Sequence, residues 1–149
     1  MLQQLRKEWE SNGQALNYEQ ENTIIKAGKK SHTYIDPDDS LFFNPSSMTE
    51  AIEQYCKRTK QKPPSNQQEM LRCVIESMAL KYAKTIADLE EITKKSAKVI
   101  HIGGGGSQNE ILCQFIANAT GKPVIAGPIE ASAIGNGLSQ LRAIGNLIR

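Results

Sequence analysis

The chain has 149 residues, a length that suits one domain. Hydrophobic residues make up 39% and charged residues 23%, with a net charge of +2, so the balance gives no reason to expect nucleic acid or an anionic membrane as partner. Cys56, Cys73 and Cys113 are odd in number and lack metal-ligand spacing, which argues against a disulfide framework or a cysteine-held metal.

Residues 2 to 12 read as a short helix with Leu2, Leu5 and Trp9 on one face, ended by Gly13. Asn17-Tyr18-Glu19-Gln20 has capping-box spacing and opens a helix to about Ala27, with Gly28 as its stop. Residues 29 to 46 look irregular, with turn chemistry at Asp36-Pro37-Asp38-Asp39 and an apolar anchor at Leu41-Phe42-Phe43. Ser47-Met48-Thr49-Glu50 is a second capping box, and Ile52, Tyr55 and Cys56 share a face behind it. Lys62-Pro63-Pro64 interrupts that helix. The longest element is expected over 66 to 95, where Leu71, Ile75, Met78, Tyr82, Ile86 and Leu89 form one amphipathic stripe that reads as core. The basic clusters Lys26-Lys29-Lys30 and Lys57-Arg58-Lys60-Lys62 carry no interleaved aromatics and read as solvated helix ends and loops.

After Lys98 the pattern changes. Val99-Ile100-His101-Ile102 reads as a buried strand, with His101 a structural histidine on it. Gly103 to Gly106 follow, then a capping box at Ser107-Gln108-Asn109-Glu110 and a helix to about Thr120, ended by Gly121. Residues 122 to 126 form a second strand, Gly127-Pro128 turns the chain, and Glu130 to Ile144 forms a last helix. Strand, glycine loop, helix, strand and helix in that order predict an α/β fold with parallel strands. The expected organisation is a helical and loop part over 1 to 65 and an α/β core over 66 to 149. Cys73 and Cys113 fall on apolar helix faces and read as buried free thiols. The stretch Met1-Leu2-Gln3-Gln4-Leu5-Arg6-Lys7 lacks an apolar h-region and no apolar run reaches bilayer length, so a cytoplasmic location is expected.

Four glycines between a strand and a capped helix exceed what a tight turn needs. Bare backbone lets a ligand come close and delivers it to a helix N-terminus. The Walker pattern fails because no lysine stands between Gly106 and Ser107. The Rossmann fingerprint fails because Gln108 or Asn109 stands where its last glycine belongs, which disfavours a dinucleotide oxidoreductase. An asparagine amide both donates and accepts, so Asn109 suits the edge of an adenine ring.

The segment from Val99 through Gly103-Gly104-Gly105-Gly106-Ser107-Gln108-Asn109 to Phe115 resembles the adenosine motif of the FGGY carbohydrate kinases. Gly121-Lys122-Pro123-Val124 and Gly127-Pro128-Ile129-Glu130-Ala131-Ser132 resemble the stretch that follows it there. Asp36-Pro37-Asp38-Asp39, Phe43-Asn44-Pro45 and Glu76-Ser77-Met78-Ala79-Leu80-Lys81-Tyr82 are similar to one branch of that family, which acts on a ketose. Gly103 departs from a more often apolar position, and Ser132 from a usual threonine.

The resemblance implies a helix-rich, incomplete ribonuclease H-like (actin-like ATPase) lobe with a small parallel sheet. It implies ATP as the nucleotide, with Gly104, Gly105 and Gly106 against the adenosine and Asn109 bonded to its base. It also implies that the catalytic aspartate, the sugar site and both phosphate turns precede the matched region. Neither a catalytic residue nor a metal ligand is then expected in this chain, and Mg²⁺ belongs to the full-length enzyme. Asp36, Asp38, Asp39 and Asp88 lie far from the loop in sequence, Glu110 reads as part of a cap, and Glu130 sits at a helix start. Two strands alone leave edges and a face uncovered, so the chain is expected to dock a missing kinase lobe, to self-associate, or to rearrange its long helix. The rival reading is a non-catalytic helical interaction module.

Overall fold

In the computed structural model, which describes residues 1–145, the chain divides into two compact units, Met1–Lys84 and the part from Thr85 onward. The division falls inside the longest helix.

The first unit holds α1 (Leu2–Ser11), α2 (Tyr18–Ala27), a 3-10 turn (Ser40–Phe42), α3 (Met48–Arg58) and most of α4 (Gln67–Thr93). Leu5, Trp9, Ile25, Met48, Ile52, Cys56, Leu71, Val74 and Ile75 form its core. The capping box of α2 is complete, with Gln20 N–H donating to Asn17 Oδ1 at 2.8 Å and Asn17 N–H donating to Gln20 Oε1 at 2.9 Å. Gly28 ends α2 in extended rather than left-handed backbone. It is there because a Cβ would stand 3.1 Å from Ile24 O and 3.2 Å from Gln68 Cγ. Ser47 caps α3 by accepting from Glu50 N–H, but the acid that completes the cap comes from α1. Glu8 accepts from Met48 N–H, Thr49 N–H, Ser47 Oγ and Thr49 Oγ1. That bond set joins two helices through one carboxylate.

The stretch from 29 to 39, irregular in sequence, is the most heavily anchored loop of the unit. Ile35 N–H donates to Ser77 Oγ at 2.9 Å, and Ser31 N–H and Tyr34 O–H both donate to Glu76. Lys81 holds Asp36 at 2.9 Å and Asp38 at 2.8 Å. This explains why α4 is buried nearly all round from Met70 to Ala79, polar Glu76 and Ser77 included. The expected stripe is therefore core only in its first half. Leu71 and Ile75 are buried, whereas Tyr82 is 42% and Leu89 53% exposed.

The second unit holds the end of α4, β1 (Ile100–Ile102), a 3-10 turn (Gly104–Gln108), α5 (Glu110–Thr120), β2 (Val124–Ala126) and α6 (Ala131–Ala143). The strands pair in parallel, with Ile100 opposite Val124 and Ile102 opposite Ala126, and α5 makes the crossover. Ile111, Leu112 and Ile116 bury the inner face of α5, and Gly121 stops it in the left-handed region. Two expectations fail here. The first strand is not buried, since His101 faces solvent; on the second, Ile125 is 48% exposed as well. Cys113 is only half-buried. In α6, for which the sequence carried no burial expectation, no residue is buried. A two-stranded sheet has too little surface to cover what packs on it. No helix among the described residues is long and apolar enough to cross a membrane.

Candidate functional site

The two loops at the C-terminal ends of β1 and β2 are fastened to each other. Gly127 N–H donates to Ile102 O at 2.7 Å, and Gly104 N–H donates to Pro128 O at 3.1 Å. Gly103 must be small because a Cβ there would stand 3.0 Å from Ala131 Cβ, and Gly104 has φ +74°. These two glycines serve the fold. Gly105 and Gly106 do not: a Cβ on Gly105 would meet nothing within 4 Å, and one on Gly106 only Ile102 Cγ2 at 3.7 Å. The protein's own chain gives no steric reason for either.

The loop continues as the 3-10 turn, held by Ser107 Oγ donating to Gly104 O at 2.7 Å. Ser107 is buried there and does not cap α5. The cap is Asn109, whose Oδ1 accepts from Leu112 N–H at 3.0 Å. The capping box expected at Ser107 is thus displaced by two residues, because the 3-10 turn extends the loop. One consequence is chemical. With Oδ1 already engaged, the Nδ2 hydrogens are the main feature Asn109 presents to a ligand. A second is that Glu110 is released from the cap and instead lines a shallow cavity of about 170 Å³ with Ser107, Cys113, Gln114, Val124 and Ala126. Glu130 stands at the start of α6 and makes no cap bond.

Three of the four aspartates are structural. Asp36 and Asp38 hold Lys81, and Asp39 pairs with Arg58 and caps the 3-10 turn through Leu41 N–H at 3.1 Å. The Lys81 ammonium, bonded first to Asp38 and then to Asp36, keeps its proton more firmly than an ordinary lysine, and the Asp36 carboxyl is held below its usual range by Lys81 and by Asp38 N–H. Among the described residues no group of three or more His, Cys, Asp or Glu side chains is placed to hold a metal. Sequence reasoning could not foresee the anchoring roles of Glu8, Glu76, Ser77 and Lys81, because each joins segments distant along the chain.

A glycine loop at the carboxyl ends of parallel strands, leading into a helix, defines an α/β unit, a class of fold in which ligands commonly sit at strand ends. The chain belongs to the FGGY family of carbohydrate kinases: residues 1–144 match the model of that family's C-terminal domain. It is similar to the rhamnulokinase of Bacteroides thetaiotaomicron, 44% identical over 111 residues that cover 74% of this chain and 23% of that protein. It is also 44% identical to the rhamnulokinase of Oceanobacillus iheyensis over 117 residues, 78% of this chain and 25% of that one. The Bacillus subtilis rhamnulokinase gives 44% over 110 residues, 74% and 23%. The chain therefore spans about a quarter of the length of the curated relatives it matches.

Proposed function

We propose that the chain supplies the adenosine-binding part of a sugar kinase of the rhamnulokinase type, as a portion of its second, ribonuclease H-like lobe. The complete enzyme would move the γ-phosphoryl group of ATP to a hydroxyl of L-rhamnulose or a similar ketose, in the cytoplasm and with Mg²⁺. The observation that carries this reading is the pair Gly105 and Gly106, small where the fold leaves room. That vacancy is where the base and ribose would lie flat on the backbone, with Gly104 shaping the loop and Asn109 Nδ2 donating to the base.

The same residues limit what the chain does alone. The loop offers backbone and an amide but no charged group for the phosphates. The aspartates described above are occupied in the fold. No residue of this chain is assigned a catalytic role, and the isolated chain is expected to be inactive.

The test is calorimetric titration of the 149-residue chain with ATP, with and without Mg²⁺, beside the variant Gly105→Val. We expect weak binding indifferent to Mg²⁺ and abolished by Gly105→Val, while circular dichroism is unchanged because a Cβ at this position meets nothing within 4 Å. Tight, Mg²⁺-dependent binding, or full binding by the variant, would overturn the assignment.

A further inference from the structure

The first unit contains a cavity of about 410 Å³, within the size range of small-molecule sites. Its charged lining is Lys29, Lys30, His32, Lys62, Glu69 and Arg72. The lysines belong to two runs that read in sequence as unrelated solvated ends. The fold brings them around one space.

The charges there do not cancel. Glu69, the one acid, already accepts from Ser65 N–H at 2.8 Å and Ser65 Oγ at 2.7 Å as part of the α4 cap. Arg72 is engaged with Glu76 and with Ile25 O. Ion pairs of this unit join Arg6 to Glu21, Arg58 to Asp39, Arg72 to Glu76, and Lys81 to Asp36 and Asp38, and none of these uses Lys29, Lys30 or Lys62. With Arg72 offset by Glu76 and the Glu69 carboxylate, which feels the charge of Lys62, set against one of the three ammonium groups, the wall keeps an excess of two positive charges.

The walls that carry them are fixed to each other. Thr33 Oγ1 donates to Lys62 O at 2.6 Å. Tyr34 N–H donates to Gln61 Oε1 at 2.9 Å, and Gln61 Nε2 returns a bond to Tyr34 O at 2.8 Å. Pro63 and Pro64 stiffen the second wall. Holding like charges around one cavity costs stability in the absence of a counter-charge, and the fold spends side-chain bonds to do so.

We propose that this cavity binds a small phosphorylated ligand. The choice of phosphate over carboxylate follows from the donors. A planar carboxylate is best met by an arginine fork, and the fork of Arg72 is already used. Lysine ammoniums are point charges that suit the tetrahedral, multiply charged phosphate group. The site lies wholly in the first unit and does not depend on the reading of the glycine loop.

The test is an NMR titration of the ¹⁵N-labelled 149-residue chain with inorganic pyrophosphate, a probe that lacks a base, at constant ionic strength maintained with sodium chloride. Saturable shifts are expected for amides of residues 28–33 and 62–69. Lys29→Gln and Lys62→Gln should each weaken binding about five-fold, the effect of one ammonium beside a phosphate at a solvent-facing site. Lys57→Gln, outside the cavity, should leave it unchanged. Each variant removes an exposed charge, so the fold is retained. Shifts that do not saturate, shifts confined to residues 103–109, citrate binding as tightly as pyrophosphate, or equal loss in Lys57→Gln would each overturn the proposal.

Discussion

Glu8 is the residue whose chemistry the chain depends on most visibly. Burial alone would push its carboxyl up, but the N–H groups of Met48 and Thr49 and the hydroxyls of Thr49 and Ser47 outweigh that and hold it below the ordinary range. The unfolded chain therefore binds the Glu8 proton more readily than the folded one. The stabilisation is complete above the unfolded value and is lost as pH falls through the folded one. Glu8→Ala should cost about 1–2 kcal/mol at neutral pH, the scale of a helix cap with charge-assisted bonds. Urea denaturation at neutral pH and at about pH 3 checks it, since the gap between wild type and variant should close once the carboxyl is protonated. A gap of equal size at both pH values would show that packing, not charge, sets the loss.

At the scale of elements, α4 does two different jobs. From Met70 to Ala79 it is core on one side and a ladder of anchors for residues 31 to 35 on another. Its apolar period was legible because Leu71 and Ile75 recur at helical spacing. The anchors were not, since Glu76 and Ser77 look like ordinary polar positions until Ile35 and Ser31 are placed against them. Ser77→Ala should leave the buried Ile35 N–H without its acceptor and destabilise the chain by about 1–3 kcal/mol. A thermal melt within a few tenths of a kcal/mol of wild type would mean that the loop relaxes to another acceptor. The glycine loop carries the same lesson. The presence of a ligand-type loop was readable from four glycines in a row, but which of them the fold itself requires was decided by Ala131 and Pro128, both more than twenty residues away.

For the whole molecule, the second unit is left with apolar surface that its own residues do not cover. Ile134 and Leu138 on α6 are each 49% exposed, and among the described residues the sheet has two strands. Uncovered edges and an apolar helix stripe are association surfaces. The 149-residue chain alone should self-associate, with a sedimentation coefficient that rises with concentration and falls on introducing Leu138→Lys. A concentration-independent, well-folded monomer would refute this.

By itself the sequence determined the helices, the capping box of α2, the glycine stop of α5, the parallel βαβ order, and a glycine loop resembling that of the FGGY kinases. Those features follow from short-range rules: periodicity, capping chemistry and glycine conformation act over a few residues. Only the tertiary structure decided that the strands stay half-exposed, that Asn109 rather than Ser107 caps α5, and that Lys29, Lys30 and Lys62 share one cavity. Burial and charge neighbourhood depend on which distant segments meet, and no local pattern encodes that.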